Sequence, residues 1–475
     1  MVYSSVGCYL FKNHGNPEMP QWTSSPHRVV PPRQSIRLHA DCRKILLYGF
    51  LTLGASLINS ASATSDPASR EPSRPGAVAP TASPINLSID QLVPLIMANN
   101  PNLRVSLMAQ TAARAGITSA QAFHNPRIEW GRGSNTARGV GTNTGQVQAW
   151  AVSQFIENPA VRNARVDAAR AFEKDSEQQA RITRNELVAQ VRLWAYQGLL
   201  HQAQTTAAAD AVQLLEQVRE RVRVRVESGE AARYEIIKAD AEIINARERL
   251  LTSSLMAEQI LVELNRLAAG HLPKSWALTG DLSEDVEMSS LMQIQQQVSQ
   301  NNPELAALQA QVLQSQALLR SAQGSRWPGL ELRYSQMRDP EVRQGQLSVG
   351  VQIPFMDTRS GPIAQASAEL QRAEARLEGR QAELQQQILV ISKSLEIARL
   401  RIEALSQGSM KEAEAALRVA QAAYRFGERG ILDVLDAQRV LRSVRADLID
   451  ARYQLQVARI AIEQLMGQHA NNTPS

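Results

Sequence analysis

Asp433 and Asp436 are the residues of this sequence whose type and spacing best suit a binding function. They follow Gly427 and Gly430, two glycines that supply the conformations a tight turn between helices needs. Side chains three residues apart project from nearly the same side of a helix, and the helix dipole favours carboxylates in its first turn. Around a symmetry axis, the pair would form a negative ring that favours cations and can bind a blocking metal ion. Simple capping of the helix is the alternative.

Other residues with useful chemistry are not arranged for catalysis. Beyond residue 63 the histidines are scattered with no metal-ligand spacing; they are His124, His201, His271 and His469. The sequence contains no phosphate-binding loop and no nucleophile elbow. It therefore predicts no enzyme, no cofactor and no structural metal site.

The charge distribution gives no reason to expect nucleic acid as a partner. The formal net charge is +5, but residues 1–63 contain six of the basic residues and only two acids. The remainder has 45 basic and 44 acidic residues. A near-neutral body lacks the electrostatic attraction on which binding to phosphate backbones depends.

The basic N-terminus has the features of an export signal. Arg43 and Lys44 precede an apolar run from Ile45 to Ile58, which is followed by Ala61-Ser62-Ala63. A positive flank, a short apolar stretch and a small-x-small exit are what a secretory peptidase requires. A buried terminal helix is the alternative. Residues 1–63 are therefore predicted to be an extended N-terminus and signal peptide, with the true start after residue 42.

The chain that follows cleavage is expected to lack cysteine. Cys8 and Cys42 both precede the cleavage point, so neither a disulfide nor a lipid-anchor cysteine is expected. Residues 64–85 are rich in Pro, Ala and Ser and are predicted to form a flexible leader.

The rest of the chain is an internal duplication. A series of residues in the first half recurs in the same order in the second half. The difference in residue number between matching residues falls from 202 to 198 along the chain, as small insertions and deletions in loops would cause. The pairs are Asn99-Asn100-Pro101 with Asn301-Asn302-Pro303, Leu103 with Leu305, Ser119-Ala120-Gln121 with Ser321-Ala322-Gln323, Pro126 with Pro328, Glu129 with Glu331, Gly145-Gln146 with Gly345-Gln346, Phe155 with Phe355, Gly229-Glu230 with Gly427-Glu428, and Ala239 with Ala437. The predicted domains are repeats over 86–270 and 291–467, separated by 271–290 and followed by a tail, 468–475.

Each repeat is predicted to contain a helix, two strands, a very long helix, a tight turn and a returning helix. From Ala160 to Val226 the sequence has no proline and only one glycine, Gly198, so a helix of roughly 100 Å is expected. The returning helices have apolar heptads typical of coiled coils. The seams are Val434, Leu441, Leu448, Leu455, Ile462 with Ala437, Val444, Ala451, Ala458, Leu465, and Ile236, Ile243, Leu250, Ala257, Leu264 with Ala239, Ala246, Ser253, Ile260, Leu267.

The predicted strands have one apolar and one polar face. Leu347, Val349, Val351 and Ile353 alternate with polar residues or glycine, and three tryptophans (Trp130, Trp150, Trp327) lie in or beside the strands as membrane-interface anchors would. Loops are expected at 133–145 and 336–345. Four strands cannot close a barrel, which needs about eight, and an open edge in lipid is very costly. If the strands span a membrane, the protein must oligomerise. Soluble hairpins are the alternative.

From about Ile85 to Gly467 the chain resembles the TolC-type outer-membrane factors of the outer membrane efflux protein family. The most specific stretch runs from Tyr424 to Gln438, with Tyr424-Arg425-Phe426-Gly427 and then Asp433-Val434-Leu435-Asp436-Ala437. The resemblance implies a mainly α fold with a small β part. In it, a duplicated long-helix coiled-coil tunnel lies in the periplasm, and four transmembrane strands per chain close as a 12-stranded outer-membrane barrel in a homotrimer.

The resemblance also implies partners and site residues. The duct would contact outer-membrane lipid and dock to a periplasmic adaptor and an inner-membrane resistance-nodulation-division pump. Tyr424 and Arg429 would latch the tip closed, the tip turn containing Gly229 would dock the adaptor or pump, and residues 271–290 would contribute to an equatorial collar rather than form a mere linker.

The expected function is that of a passive exit duct. His124-Asn125-Pro126 before a strand favours the heavy-metal efflux branch. Drug export and type I protein secretion would use the same sequence features, so the cargo stays open. A periplasmic coiled-coil structural protein without transport is the alternative of a different class.

Overall fold

A computed structural model describes residues 85–136, 139, 141, 143–283 and 290–470, all within one of two units of the chain, Val78–Ser475. The predicted export signal, almost all of the leader and the last five residues lie outside the described residues. In chain order the elements are β1 (Ile85–Ser88), α1 (Ile89–Asn99), α2 (Pro101–Gln121), β2 (Arg127–Asn135), β3 (Gly145–Ile156), α3 (Pro159–Glu227), α4 (Arg233–Leu267), β4 (Trp276–Thr279), α5 (Leu291–Asn301), α6 (Pro303–Gly324), β5 (Leu330–Arg338), β6 (Arg343–Val351), α7 (Ser360–Glu403), a π-helical segment (Ala404–Ser409), α8 (Met410–Arg425) and α9 (Ile431–Leu465).

The two halves repeat one plan, two helices, two strands, a long helix and a returning helix, so the predicted mainly α fold with a small β part is confirmed. The first helix expected in each half is in fact two. α1 and α2 are separated at Asn100, and α5 and α6 at Asn302. Both asparagines have extended backbones because the proline that follows disfavours a helical conformation in the preceding residue.

The asparagine at each break joins the beginning of a repeat to its end. The Asn100 side chain accepts a hydrogen bond from the Leu103 amide and donates to the Leu267 carbonyl at the end of α4, at 2.9 Å. Asn302 accepts from the Leu305 amide and donates to the Leu465 carbonyl at the end of α9, also at 2.9 Å. Both asparagines are buried. The repeated motif is therefore explained by a helix cap that also satisfies a carbonyl at another helix end.

The described end of the chain packs against the helices. Gly467 has φ +65°, and a Cβ there would lie 2.5 Å from the Asn301 carbonyl, so this position requires glycine. Burial raises the pKa of the Glu463 carboxyl, but the hydrogen bond from His469 and the charges of Arg192 and Arg459 lower it to about 2. Glu463 consequently stays ionised and holds the end of α9 against α3 at ordinary pH.

The second long helix differs from the first. α3 is continuous over 69 residues, whereas α7 and α8 are joined through the six-residue π-helical segment that contains Gly408. A π turn inserts an extra residue into the helix, so the faces before and after it are offset. The segment also contains Gly408, and a glycine inside a helix is less stable there than most other residues are.

The heptad pattern correctly identified residues at the helix interfaces. Every member of the first seam of α9, from Val434 to Ile462, is buried. In α4, Ala239, Ala246, Ser253, Ile260 and Leu267 are buried as well. Small residues along this seam let α4 lie close to α3, its main packing partner.

The four longer strands form one antiparallel sheet in the order β2-β3-β5-β6. The central pairing joins the two halves, since Val152 of β3 lies opposite Tyr334 of β5. The predicted bounds of both loops, 133–145 and 336–345, are wrong, because the strands continue into them. Asn135 pairs with Gly145, and the pairing of β5 with β6 continues to Arg338 and Arg343. Asp339 shortens the loop by accepting hydrogen bonds from two backbone amides of the turn.

A second, two-stranded sheet was not predicted. β4 lies within the segment between the repeats and pairs in parallel with β1, Leu278 opposite Leu87. Gly198, the only glycine of α3, makes room for this sheet, because a Cβ there would lie 2.9 Å from Leu278 Cδ2. Short strands that begin after Pro84 and Ser275 lack the alternation by which longer strands are recognised.

We predict that Asn302→Ala will destabilise the protein by about 1–3 kcal/mol, because it leaves the buried Leu465 carbonyl and the first amides of α6 without partners. Denaturant unfolding of the purified protein would measure this. Asn301→Ala is the matched control, since Asn301 is exposed and belongs to the same motif. Equal stability of the two variants would contradict this role.

Candidate functional site

The helical tips at the ends of α3 and α8 have the same turn. Gly229 and Gly427 both adopt left-handed backbone conformations, with φ +79° and +74°. In each tip the residue after the glycine donates its amide to a carbonyl five residues earlier: Glu230 to Arg225 at 2.8 Å and Glu428 to Ala423 at 2.9 Å. These hydrogen bonds satisfy carbonyls at the helix ends, and only glycine adopts the required conformation without strain.

Gly430 has a different role from the other tip glycines. Its φ of −80° and ψ of 168° are open to any residue, so its turn does not require glycine. Gly430 is the N-cap of α9 and has no side chain to donate or accept a capping hydrogen bond. The amides at the start of α9 therefore keep their partial positive charge, which favours an anion in the first turn.

Asp433 and Asp436 follow directly and are both exposed. Asp433 is the acidic residue of the first turn of α9, but it does not cap the helix through a side-chain hydrogen bond. Neither carboxylate forms an ion pair with a residue in the described part of the chain. The two carboxylates are therefore exposed near the beginning of the helix, although the charge of Asp436, after that of Glu242, helps to raise the pKa of Arg439.

Tyr424 joins the second tip to the first. Its ring is buried, and its hydroxyl donates a hydrogen bond to Glu235 Oε2 of α4 at 3.3 Å. Arg225 of α3 donates to the Tyr424 carbonyl at 3.0 Å, and its guanidinium lies over the Tyr424 ring at 4.8 Å. Burial, followed by the negative charge of Glu235, raises the pKa of the Tyr424 hydroxyl, which therefore stays protonated and remains a donor.

Arg429, the other residue of the predicted latch, does not take part in these contacts. It is exposed and makes no hydrogen bond or ion pair with the residues that the structure describes. Its role in a latch therefore stays a prediction.

An acidic residue farther along α4 joins the returning helices. Glu242 is buried, and its carboxylate accepts a hydrogen bond from Arg439 Nε of α9 at 3.2 Å. Arg442 Nη1 lies 3.9 Å from the same carboxylate. Burial, with repulsion from Arg249, lowers the pKa of Arg442. Glu242 thus offsets part of the positive charge of Arg439 and Arg442 where α4 and α9 approach each other.

Sequence reasoning missed Arg225, Glu235 and Glu242. A signal existed for Glu235, because the offset of 198 that relates Gly229 to Gly427 also relates Glu235 to Asp433. The acid in the first half contacts Tyr424, whereas its counterpart in the second half is exposed. No signal in the sequence predicted Arg225, because its repeat counterpart is Ala423.

The four-stranded sheet has two chemically different faces. The strand register places on one side, called here the apolar face, a set of apolar residues that are all exposed except Val152: Ile128, Trp130, Trp150, Val152, Ile156, Leu330, Leu332, Tyr334, Leu347, Val349 and Val351. Four of them, Ile128, Trp130, Leu347 and Val349, are more than 60% exposed. So large an exposed apolar area indicates contact with lipid or protein.

The opposite face, called here the charged face, contains ion pairs. Arg333 Nη2 lies 2.7 Å from Glu129 Oε2, and Arg127 Nε lies 3.0 Å from Glu129 Oε1. Ser335, Gln346 and Ser348 share this face. Val147, Phe155 and Met337 are apolar residues on this mostly polar face. Two of them belong to β3, which explains why the alternation in β3 is less regular in the sequence. A sheet with one apolar and one charged side is typical of barrels with lipid outside and water inside.

Two negative findings concern the described residues alone. Among them, no group of three or more histidine, cysteine, aspartate or glutamate side chains is placed to hold a metal ion. In the same part of the chain, no helix combines the length and apolar character needed to cross a membrane.

Comparison with known proteins gives a family match over both repeats. The family model described as "Outer membrane efflux protein" matches residues 92–270 and 294–468. The cobalt-zinc-cadmium resistance protein CzcC of Cupriavidus metallidurans is 24% identical over 384 residues, which are 80% of this chain and 90% of that protein.

Solved structures share the fold. The structure of CusC has a TM-score of 0.65 at 20% identity and covers 80% of this chain and 91% of its own. The outer-membrane channel OprN gives 0.70 at 17% identity, over 80% and 89%. VceC from Vibrio cholerae gives 0.67 at 16% identity, over 80% and 96%.

We predict that Arg225→Gln will loosen the second tip, because it removes a hydrogen bond to the Tyr424 carbonyl and a cation over the Tyr424 ring. Hydrogen exchange at the Gly427 and Glu428 amides should accelerate about tenfold, as expected for a loss of about 1.4 kcal/mol in local stability. Arg223→Gln is the control, because the ion pairs of Arg223 with described residues are those with Glu220 and Glu227 of its own helix. Similar exchange in both variants would exclude Arg225 as the anchor.

Proposed function

The chain belongs to the outer membrane efflux protein family, and we propose that it is the exit duct of a tripartite efflux system. Proteins of this family are outer-membrane channels rather than enzymes. Family membership therefore supports the predicted channel and not the alternative, a periplasmic coiled-coil structural protein without transport. In the proposed system the duct passively conducts substrates that an inner-membrane pump delivers through a periplasmic adaptor. The observation that supports conduction most directly is the sheet with an apolar face and a charged face.

The sheet is the basis for proposing a homotrimer. Among the described residues, its outermost strands, β2 and β6, each lack a neighbour on one side. In lipid, every unpaired backbone group costs several kcal/mol, so open edges are not tolerated. Pairing of β6 with β2 of the next copy removes both edges, and three copies supply twelve strands, enough for a water-filled barrel lined by the charged face.

Exposed apolar side chains on the helices support the same assembly. α4 exposes a stripe with Ile237, Ile244, Leu251, Leu255 and Val262, each at least 60% exposed. α7 and α8 expose Val390, Ile397, Leu400 and Val419, at 57–68%. In the described part of the chain α4 packs mainly on α3, α7 packs on α6 and α9, and α8 packs on α9, and the stripes stay exposed. In the proposed trimer, α4 of one copy packs against α7 and α8 of the next to complete the helical tunnel.

The second tip is the proposed gate. Around the threefold axis, the exposed Asp433 and Asp436 of the copies would form a negative ring. Arg429, which has no partner among the described residues, would pair with a carboxylate of another copy, while Tyr424 holds the tip through Arg225 and Glu235. The first tip, with Gly229, would dock the adaptor or the pump.

Heavy-metal cations are the proposed cargo, delivered by a resistance-nodulation-division pump. The relative named for cobalt, zinc and cadmium resistance supports this choice. Drug export and type I secretion are the alternatives, and the cargo would be set mainly by the pump, since the passive wall of a duct makes few selective contacts.

We predict that the protein forms ion-conducting pores in planar bilayers and that millimolar divalent cations block them from the tip side. The double variant Asp433→Asn with Asp436→Asn should conduct but lose at least tenfold in sensitivity to block, because the carboxylates that attract the cation are neutralised.

Asp447→Asn with Asp450→Asn is the matched control, since these acids have the same spacing farther along α9. Unchanged block in the tip variant would rule out the ring while leaving the duct intact. Absence of conductance in every form of the protein would contradict the duct itself.

A further inference from the structure

The apolar face of the sheet ends in a row of arginines. The register places Arg132 of β2 opposite Gln148 of β3, Gln148 opposite Arg338 of β5, and Arg338 opposite Arg343 of β6. Residues directly opposite in neighbouring strands are on the same face. This arginine row therefore lies on the apolar face, at the end of the sheet nearer the loops that join β2 to β3 and β5 to β6.

On the apolar face, residues that lie opposite one another across the four strands form rows, and the type of side chain changes from one row to the next along the strands. Ile128, Val152, Tyr334 and Leu347 form an apolar row. The next row, about 7 Å along the strands, contains Trp130, Trp150, Gln336 and Gly345, with Trp150 Nε1 donating to Gln336 Oε1 at 3.0 Å. The arginine row follows at the same spacing. Apolar, then aromatic, then cationic side chains match the successive depths of hydrocarbon, interface and headgroups in a bilayer.

The cations in this row are not neutralised by the chain. Arg338 and Arg343 are exposed and form no ion pair among the described residues, although like charges directly opposite in a sheet are destabilising. The nearest acids have other partners: Asp339 accepts from the amides of Glu341 and Val342, and Glu341 accepts from the Asn143 amide. Arg132 donates to Gln146 Oε1, a neutral acceptor. An anion between Arg338 and Arg343 would relieve their repulsion.

We propose that the arginine row is a binding site for the phosphate groups of anionic lipid in the outer leaflet of the membrane. This rests on the proposed function, which places the helices in the periplasm and hence the opposite end of the strands at the outer surface. Guanidinium groups bind phosphate through paired hydrogen bonds, and aromatic neighbours hold the acyl region below it.

The test uses the full-length protein in phosphatidylcholine nanodiscs that contain either bisphosphorylated lipid A or its dephosphorylated form. Native mass spectrometry should show preferential retention of the bisphosphorylated lipid. Arg338→Gln with Arg343→Gln should weaken that retention about fivefold for each arginine removed. The matched control is Arg376→Gln with Arg418→Gln, exposed arginines on α7 and α8 far from the strands in sequence, which should behave as the unaltered protein.

The outcomes separate the possible sources of the anion. Retention of the lipid in excess inorganic phosphate supports a lipid site, whereas displacement by an equal concentration of inorganic phosphate overturns it in favour of a free anion. Equal retention of both lipid forms, or of lipid by both double variants, also overturns the site. Neither result affects the duct, which fails only if the protein does not insert and conduct.

Discussion

The unpaired edges of the four-stranded sheet are the constraint on which the rest of the account depends. β2 and β6 each present a row of amides and carbonyls with no neighbouring strand in the part of the chain that the structure describes. In the hydrocarbon layer of an outer membrane these groups cannot form hydrogen bonds with water, so they need strands from other copies as partners. α7 follows β6 in the chain, and α4 packs along α3, which follows β3. In the proposed trimer, one arrangement of copies covers both the edges of the sheet and the apolar stripes of the helices, and the charged face surrounds the axis of the duct.

Within each copy, hydrogen bonds from the Asn100 and Asn302 side chains to the last long helix of the same repeat satisfy backbone groups at helix ends. Long helices leave unsatisfied carbonyls at their ends, and a buried end needs a donor. One asparagine side chain caps the helix that begins at the motif and also supplies that donor. Duplication of the chain preserved the whole arrangement, with distances of 2.9 Å in both repeats. The tips diverged instead, since Glu235 is engaged by Tyr424 while Asp433 is exposed.

Much of the fold could be predicted from the sequence because its signals are periodic. The heptad from Val434 to Ile462 identified buried positions, and alternation identified the strands. Features without a period were missed: the pairing of Leu87 with Leu278, the π-helical segment at Gly408, and the continuation of β5 to Arg338. At the candidate site, residue type and resemblance selected Tyr424 and Asp433. Arg225, which holds Tyr424, could not be found, because its contact depends on how α3 and α8 pack and its counterpart in the repeat is an alanine.

The most direct test of the account is the mass of the native protein extracted from purified outer membranes in mild detergent. The account predicts a complex of three copies, found in that membrane fraction alone, which dissociates to single chains on heating. A monomer recovered from the periplasm would contradict it, because a single copy leaves the edges of β2 and β6 unpaired and the sheet could not then lie in lipid.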